Sequence, residues 1–174
     1  MTRLLTLPRL AIAAALALGL AGPSFATAPA QVTVTYDHPE RFTETRETKA
    51  FAPMRADDSY LDTLKKYIEQ RAGKVLTDGQ QLQIVITDVD RAGSYEPWRG
   101  PRLSDVRIVK DIYPPRINLH FRLLDASGAV LREGDRTLRD PAFLSSGGNA
   151  TSTDSLRYEK RMIDRWLQRG PDKL

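Results

Sequence analysis

Hydrophobic and polar positions along the chain predict four main strands and two helices. Period-two alternation, or a run of strand-forming residues, predicts strands at Val32–Tyr36, Gln81–Val89, Arg116–Leu124 and Ala129–Leu138. A shorter strand is predicted over Val106–Ile112. Apolar residues at helical spacing predict helices from about Asp58 to Ala72 and from about Ser155 to Arg169.

The order of these elements predicts an α+β domain with the sequence β-α-β-β-β-α. We expect a mixed or mostly antiparallel sheet of four or five strands, with both helices on one face. A helix separates the first two strands, so these should run parallel or nearly so. The pattern assigns no element to residues 40–53, in which Phe42 and Phe51 are expected to contact the core.

The first 26 residues resemble an export signal. Arg3 and Arg9 precede an apolar run, Leu10–Leu20, that is too short for a transmembrane helix. We predict cleavage after Ala26, with Ala28 and Ala30 as alternatives, and a single domain over residues 27–174. An uncleaved membrane anchor is the competing interpretation. No later segment is apolar enough to predict a membrane span.

Cysteine is absent from the chain, which excludes an acylated lipoprotein and any disulfide. We therefore expect a periplasmic protein that is free of the membrane after removal of the signal. The formal net charge is +4, and removal of two signal-peptide arginines lowers it further. Such a small excess gives no argument for nucleic-acid binding. Residues 91–174 nevertheless hold 16 basic and 11 acidic side chains.

The longest irregular stretch, between the second and third main strands, is the most informative part of the sequence. It is rich in Gly and Pro but also carries aromatic and basic side chains, which suit recognition of sugars or anions. The candidate binding residues are Tyr95, Trp98, Arg99, Arg102, Lys110, Tyr113 and Arg116. Trp98 has two interpretations: an exposed stacking residue, or a buried side chain that pins the loop, the commoner environment for a large aromatic.

Catalytic, metal and cofactor signals are weak. Asp88 and Asp90 lie at a strand end and are candidates for acid–base work, although such acids more often cap a turn or pair with a neighbour such as Arg91. His38 with Asp37 and Glu40 is the best metal candidate, and an ordinary turn explains this cluster better. No phosphate-binding loop or nucleotide fingerprint occurs, so we predict no cofactor and no metal.

The second predicted helix carries Arg157, Arg161 and Arg165 at intervals of four residues. Like charges at that spacing repel mildly, so an anionic group is one explanation of the stripe. A solvated helix face is the other explanation.

Three segments resemble one family of bacterial exported proteins. They are Glu96–Pro101 (EPWRGP), Lys110–Arg116 (KDIYPPR) and Leu156–Lys160 (LRYEK). On these segments the chain resembles the family known as domain of unknown function 3016, from Val32 to about Gln168. In this family an Asp usually follows the Phe-Thr pair near the first strand, whereas here Glu44 follows Phe42-Thr43. The resemblance implies export and a single domain, and implies no activity.

From these observations we expect a non-enzymatic periplasmic protein that binds or maintains an envelope component. Its partner would be an anionic envelope component or another periplasmic protein. The alternative is an enzyme that acts on an envelope polymer through Asp88, Asp90 and the loop around Trp98. An enzyme would show a concave pocket where a carboxylate and other polar groups converge. A binding module would show a basic and aromatic surface.

Overall fold

The computed structural model describes residues 31–145 and 152–174. Its strands are β1 (Gln31–Tyr36), β2 (Gln81–Asp90), β3 (Ser94–Tyr95), β4 (Arg107–Ile108), β5 (Arg116–Leu124) and β6 (Val130–Arg139). Its α-helices are α1 (Thr43–Phe51), α2 (Ser59–Gly73) and α3 (Arg157–Leu167). The predicted signal peptide lies outside the described residues.

The main sheet has four strands in the order β1-β2-β5-β6. β1 runs parallel to β2, as the intervening helix predicts, and the β2–β5 and β5–β6 pairs are antiparallel. The predicted α+β class and mixed four-stranded sheet are therefore confirmed. No helix within residues 31–145 and 152–174 has the length and apolarity needed to cross a bilayer.

The core lies between one face of this sheet and the helices α2 and α3. Ile84 and Phe121 sit opposite each other on neighbouring strands and are 1% and 0% exposed. Phe121 packs edge-on against Trp166 of α3, with ring centroids 6.2 Å apart. Leu64 and Ile68 bring α2 onto the same core. The next strand position, His120, is half-buried on the opposite face and contacts Asp135 at 2.9 Å, so the predicted faces of β5 are confirmed.

The structure adds a helix that the hydrophobic pattern missed. α1 occupies most of the unassigned segment 40–53, but its buried positions are Glu44, Thr45 and Thr48. A helix that buries polar side chains has no apolar stripe for a periodicity search to find. Of the two expected anchors, Phe42 is buried at 1% exposure, whereas Phe51 is 41% exposed.

The weaker strand prediction over Val106–Ile112 was only partly right. Extended structure is limited to β4, which pairs with β3 in a separate two-stranded ribbon. The ribbon does not join the main sheet, and residues 109–115, which end in Pro114-Pro115, separate β4 from β5. Pro cannot donate to a strand ladder, so these two residues limit strand pairing just before β5.

Candidate functional site

Residues 91–115, here called the ribbon region, form a compact extension at one end of the sheet. Its base is set by Gly93, whose φ of +88° favours glycine. A Cβ at this position would lie 2.9 Å from the backbone oxygen of Ile108. The Gly93 N–H donates to the Tyr113 carbonyl at 3.0 Å, and the Gly93 carbonyl accepts from Arg107 at 2.8 Å. This close approach joins both ends of the ribbon region.

A buried carboxylate, Glu96, holds the ribbon region together. It is 2% exposed and accepts hydrogen bonds from Lys110 Nζ at 2.5 Å, Tyr113 Oη at 3.0 Å and Arg99 at 3.3 Å. The Lys110 hydrogen bond is the main cause of the lowered pKa of Glu96. The same carboxylate raises the pKa of Tyr113. Three candidate binding residues therefore serve one ion cluster, in which Glu96 already engages the Lys110 ammonium group and the Tyr113 hydroxyl.

A fourth candidate, Tyr95, lies inside the protein. It is 7% exposed, and the Arg107 guanidinium stacks over its ring at 4.8 Å. Arg107 continues to the buried carboxylate of Glu44, which it contacts at 2.6 Å. The structure therefore places Tyr95 as a link between the ribbon region and α1, and its predicted role in binding stays a prediction.

Arg116 is engaged by the two acids at the end of β2. Its guanidinium lies 3.3 Å from Asp88 and 3.5 Å from Asp90. Asp88 additionally accepts from the Thr43 N–H at 2.7 Å and the Thr43 hydroxyl at 3.0 Å, at the amino end of α1. Asp88 therefore anchors a helix start. Arg91, the neighbour expected to pair with these acids, instead contacts Glu44 at 3.8 Å.

Trp98 and Arg102 are exposed, and among residues 31–145 and 152–174 their functional groups have no partner. They lie on residues 97–104, here called the Trp98 tip, between β3 and β4. Trp98 is 73% exposed, so its interpretation as a buried pin is wrong. Glu96 is the residue that pins the loop. The tip carries Arg99 and Arg102 and no acid.

The acid–base candidate Asp90 lines a cleft of about 340 Å³, here called the Asp90 cleft. Glu47, Tyr113, Arg116 and Arg139 also line it, whereas Trp98 does not. Burial, reinforced by the nearby Glu47 carboxylate, raises the pKa of Asp90 to about 6. The cleft therefore combines a carboxyl group that titrates near neutral pH with a second acid and two guanidinium groups.

Sequence reasoning missed Glu44, Glu47 and Glu96, the carboxylates that organise this end of the molecule. Glu44 and Glu47 lie in the unassigned segment, and their functional partners are 40 or more residues away in the sequence. Glu96 lies inside the EPWRGP segment, two residues before Trp98. The usable signal was an acid placed between Tyr95 and the Trp98-Arg99 pair. The metal candidate His38 is exposed and contacts Glu40 at 3.1 Å.

The fold and this site define a small α+β domain with a charge-stabilised loop extension. The chain belongs to the family described as "Protein of unknown function (DUF3016)", whose family model matches residues 30–169. The resemblance seen in the sequence is thereby confirmed. A comparison with curated proteins gives no match.

Among solved structures, the chain is similar to PelC from Paraburkholderia phytofirmans, which was solved as a dodecamer. The two are 13% identical over 84% of this chain and 91% of that chain, with a TM-score of 0.29. A similarity at this level supports no conclusion about the function or assembly of this protein.

Proposed function

We propose that this protein is an exported, periplasmic, non-enzymatic binding protein whose Trp98 tip contacts an anionic component of the envelope. The observation that carries the proposal is the exposure of Trp98 on a loop that Glu96 fixes from beneath. Large aromatics are normally mostly buried, and exposed ones are enriched where a protein meets a partner. Fixing the loop in advance also reduces the entropy lost on binding.

The charge of the tip favours an anionic partner. Arg102 is exposed and has no ion pair within the described residues, and Arg99 keeps a side chain 45% exposed beside its contact with Glu96. The nearest acid along the chain, Asp105, is paired with Arg55 at 3.2 Å. An indole with two adjacent guanidinium groups suits phosphate head groups or acidic sugars, which offer negative charge beside apolar or ring surfaces.

The fluorescence of Trp98 can be used to measure binding at the tip. The second tryptophan, Trp166, is 3% exposed, and the part of a fluorescence change that is lost in Trp98→Phe is the part that comes from Trp98. Titration with phosphatidylglycerol vesicles should shift the emission to the blue, and phosphatidylcholine vesicles should not. A soluble acidic polysaccharide forms the second arm and distinguishes a glycan partner from a lipid partner.

Single substitutions test whether Trp98 and Arg102 contribute to this binding. Trp98→Ala, measured by co-sedimentation or calorimetry, should weaken binding about two- to thirtyfold, the range for exposed to desolvated aromatic–cation contacts. Arg102→Gln should weaken it less. Arg41→Gln removes a charge that is 75% exposed outside the tip and should have no specific effect. Equal losses in Arg41→Gln and Arg102→Gln would reduce the proposal to nonspecific charge attraction.

Export is the second part of the proposal and rests on the amino-terminal sequence. Mass spectrometry of the periplasmic fraction should find an amino terminus between Thr27 and Gln31. Recovery of intact Met1 in the membrane fraction would contradict it.

An enzyme is the second candidate function, because the pKa of Asp90, at about 6, suits a general acid or base near neutral pH. The structure changes the residues that the sequence suggested for such an enzyme. Asp88 is occupied by Thr43 and Arg116, and Trp98 lies outside the cleft, so the catalytic pair would be Asp90 with Glu47. Release of fragments from purified envelope polysaccharide, with an apparent pKa near 6 and loss in Asp90→Asn, would support this function. Release that Asp90→Asn leaves unchanged would exclude this cleft as its source.

A further inference from the structure

The arginine stripe on α3 has an intramolecular partner. Asp140, directly after β6, is 2% exposed. Arg161 contacts its carboxylate at 3.1 Å, and Arg165 contacts the same oxygen. The anionic group that the stripe suggested is therefore supplied in part by the protein, and Asp140 is committed to joining β6 to α3.

Beyond Asp140, the charged side chains that line the space between β6 and α3 are all arginines. A groove of about 290 Å³ runs here, lined by Arg136, Arg139, Arg165 and Arg169 over a floor that includes Met162 and Trp166. We call it the arginine groove. None of its lining residues is acidic. Arg139 and Arg169 are exposed, and their side chains have no ion pair within residues 31–145 and 152–174.

Arg136 is held in a fixed position on the floor side of this groove. Its guanidinium donates to the Asp135 carbonyl at 2.7 Å and to the backbone oxygen of Leu174 at 2.5 Å. It also lies over the ring of Phe121 at 4.9 Å. A cation held by three contacts loses little conformational freedom when a ligand binds.

The floor of the groove contains a polar group without a partner. Trp166 is 3% exposed and lines the groove, yet its Nε1–H has no acceptor among the described residues. Buried donors are nearly always satisfied, and an unsatisfied one is costly. The unpaired guanidinium groups of Arg139 and Arg169 match an acceptor that carries several oxygens and negative charge. The Trp166 indole, which lines the same groove, reports on its occupation.

We propose that the arginine groove binds the phosphate group of a small phosphate ester. A phosphate accepts several charge-assisted hydrogen bonds at once, and guanidinium groups match its geometry. The volume is near the lower limit of small-molecule pockets, about 300–1,000 Å³, and exceeds what a phosphate alone needs. Met162 and Trp166 would contact the organic part of the ester. This site shares no residue with the Trp98 tip, and only Arg139 with the Asp90 cleft, so the proposal goes beyond the functions proposed above.

The two tryptophans make a direct test possible by NMR. The indole N–H signals of Trp98 and Trp166 are assigned with Trp98→Phe. The protein is then titrated with inorganic phosphate, with glycerol 3-phosphate, and with sodium chloride and acetate at matched ionic strength. We expect a saturable shift of the Trp166 signal with both phosphates, tighter for the ester, and no saturable shift with chloride or acetate.

Paired variants test the arginines. The double variant Arg139→Gln/Arg169→Gln should weaken phosphate binding by at least about tenfold, because it removes two charge-assisted donors. Both side chains are exposed, so its unfolding midpoint should stay close to that of the unmodified protein. Arg41→Gln is the control of equal chemistry outside the groove and should bind normally. Equal weakening in control and double variant, or no weakening in the double variant, would overturn the proposal.

A final arm distinguishes a soluble ester from a lipid head group. Phosphatidylglycerol vesicles are tested in a Trp98→Ala background, which removes the contribution of the tip. Vesicle binding that is lost on adding Arg139→Gln/Arg169→Gln would assign the phosphate to a lipid. Binding of glycerol 3-phosphate without vesicle binding would assign it to a soluble ester. Binding of neither overturns the site.

Discussion

The core and the ribbon region are held together by different forces. In the core, Ile84, Phe121 and Trp166 pack apolar surface from the sheet against α3, and burial supplies the stability. In the ribbon region, buried Glu96 collects Lys110, Tyr113 and Arg99, and buried Glu44 in α1 collects Arg107 and Arg91. The core is therefore stabilised by buried apolar surface, and the ribbon region by buried ion pairs.

This difference has a consequence for function. Apolar packing is nondirectional, so many well-packed arrangements of side chains are stable. A buried carboxylate is stabilised only when its donors lie at hydrogen-bond distance. A loop organised by Glu96 therefore needs no aromatic side chain to pin it. Trp98 is left outside as a result, which is the basis of the proposed function.

The largest effect is expected in the core. Phe121→Ala should lower the free energy of unfolding by about 3–5 kcal/mol, through lost burial and the cavity left beside Trp166. The neighbouring His120→Ala should change it by no more than about 0.5 kcal/mol, because His120 lies on the half-exposed face. Urea unfolding measures both. Similar losses in the two variants would show that apolar burial is not what distinguishes the faces of β5.

The charge-organised region should respond to the loss of a carboxylate. Glu44→Ala leaves Arg107 and Arg91 less than 20% exposed without their anion and should cost about 2–3 kcal/mol by urea unfolding, below the 3–5 typical of fully buried pairs. Glu133→Ala removes an exposed acid paired with Arg122 and should cost less than about 1 kcal/mol. If both cost the same small amount, the Glu44 cluster does not organise the region.

A smaller effect with a defined pH dependence is expected at Asp90. Its folded pKa of about 6 exceeds the unfolded value of about 3.9. Between about pH 4 and pH 6 the folded state therefore keeps a proton that the unfolded state has lost, and stability falls as the pH rises through that window. Asp90→Asn removes this loss and should be more stable at pH 7 by about 1–2 kcal/mol, allowing for partial exposure.

The stability advantage of Asp90→Asn should disappear near pH 4. Asp125 is the control of opposite sign, because its hydrogen bond from the Ser127 hydroxyl lowers its pKa. Asp125→Asn should therefore be less stable at pH 7, with a difference that fades as the pH falls through the folded pKa. Parallel pH profiles for Asp90→Asn and the unmodified protein would contradict the raised pKa.

The smallest effect on stability is expected at the Trp98 tip. Trp98→Ala should change the free energy of unfolding by no more than about 0.5 kcal/mol, because a side chain that is 73% exposed contributes little burial. A loss of several kcal/mol would show that Trp98 packs beneath the loop, and would remove the basis of the proposed recognition surface.

The sequence alone determined the sheet, α2 and α3. Alternation through β1 and β5 reports one buried face, and Leu64 and Ile68 report a helix that packs on it. These signals depend on neighbours a few residues apart, so they can be seen without the fold. The family resemblance is likewise a property of local segments, and it extends over residues 30–169.

Only the tertiary structure decided the roles of the charged residues. Nothing near Lys110 in the sequence shows that it donates a hydrogen bond to Glu96. Nothing near Arg116 shows that it forms ion pairs with Asp88 and Asp90. A carboxylate and a guanidinium look alike in sequence whether they are paired or free. Their availability depends on contacts between residues far apart in the chain, and hydrophobic periodicity contains no information about those contacts.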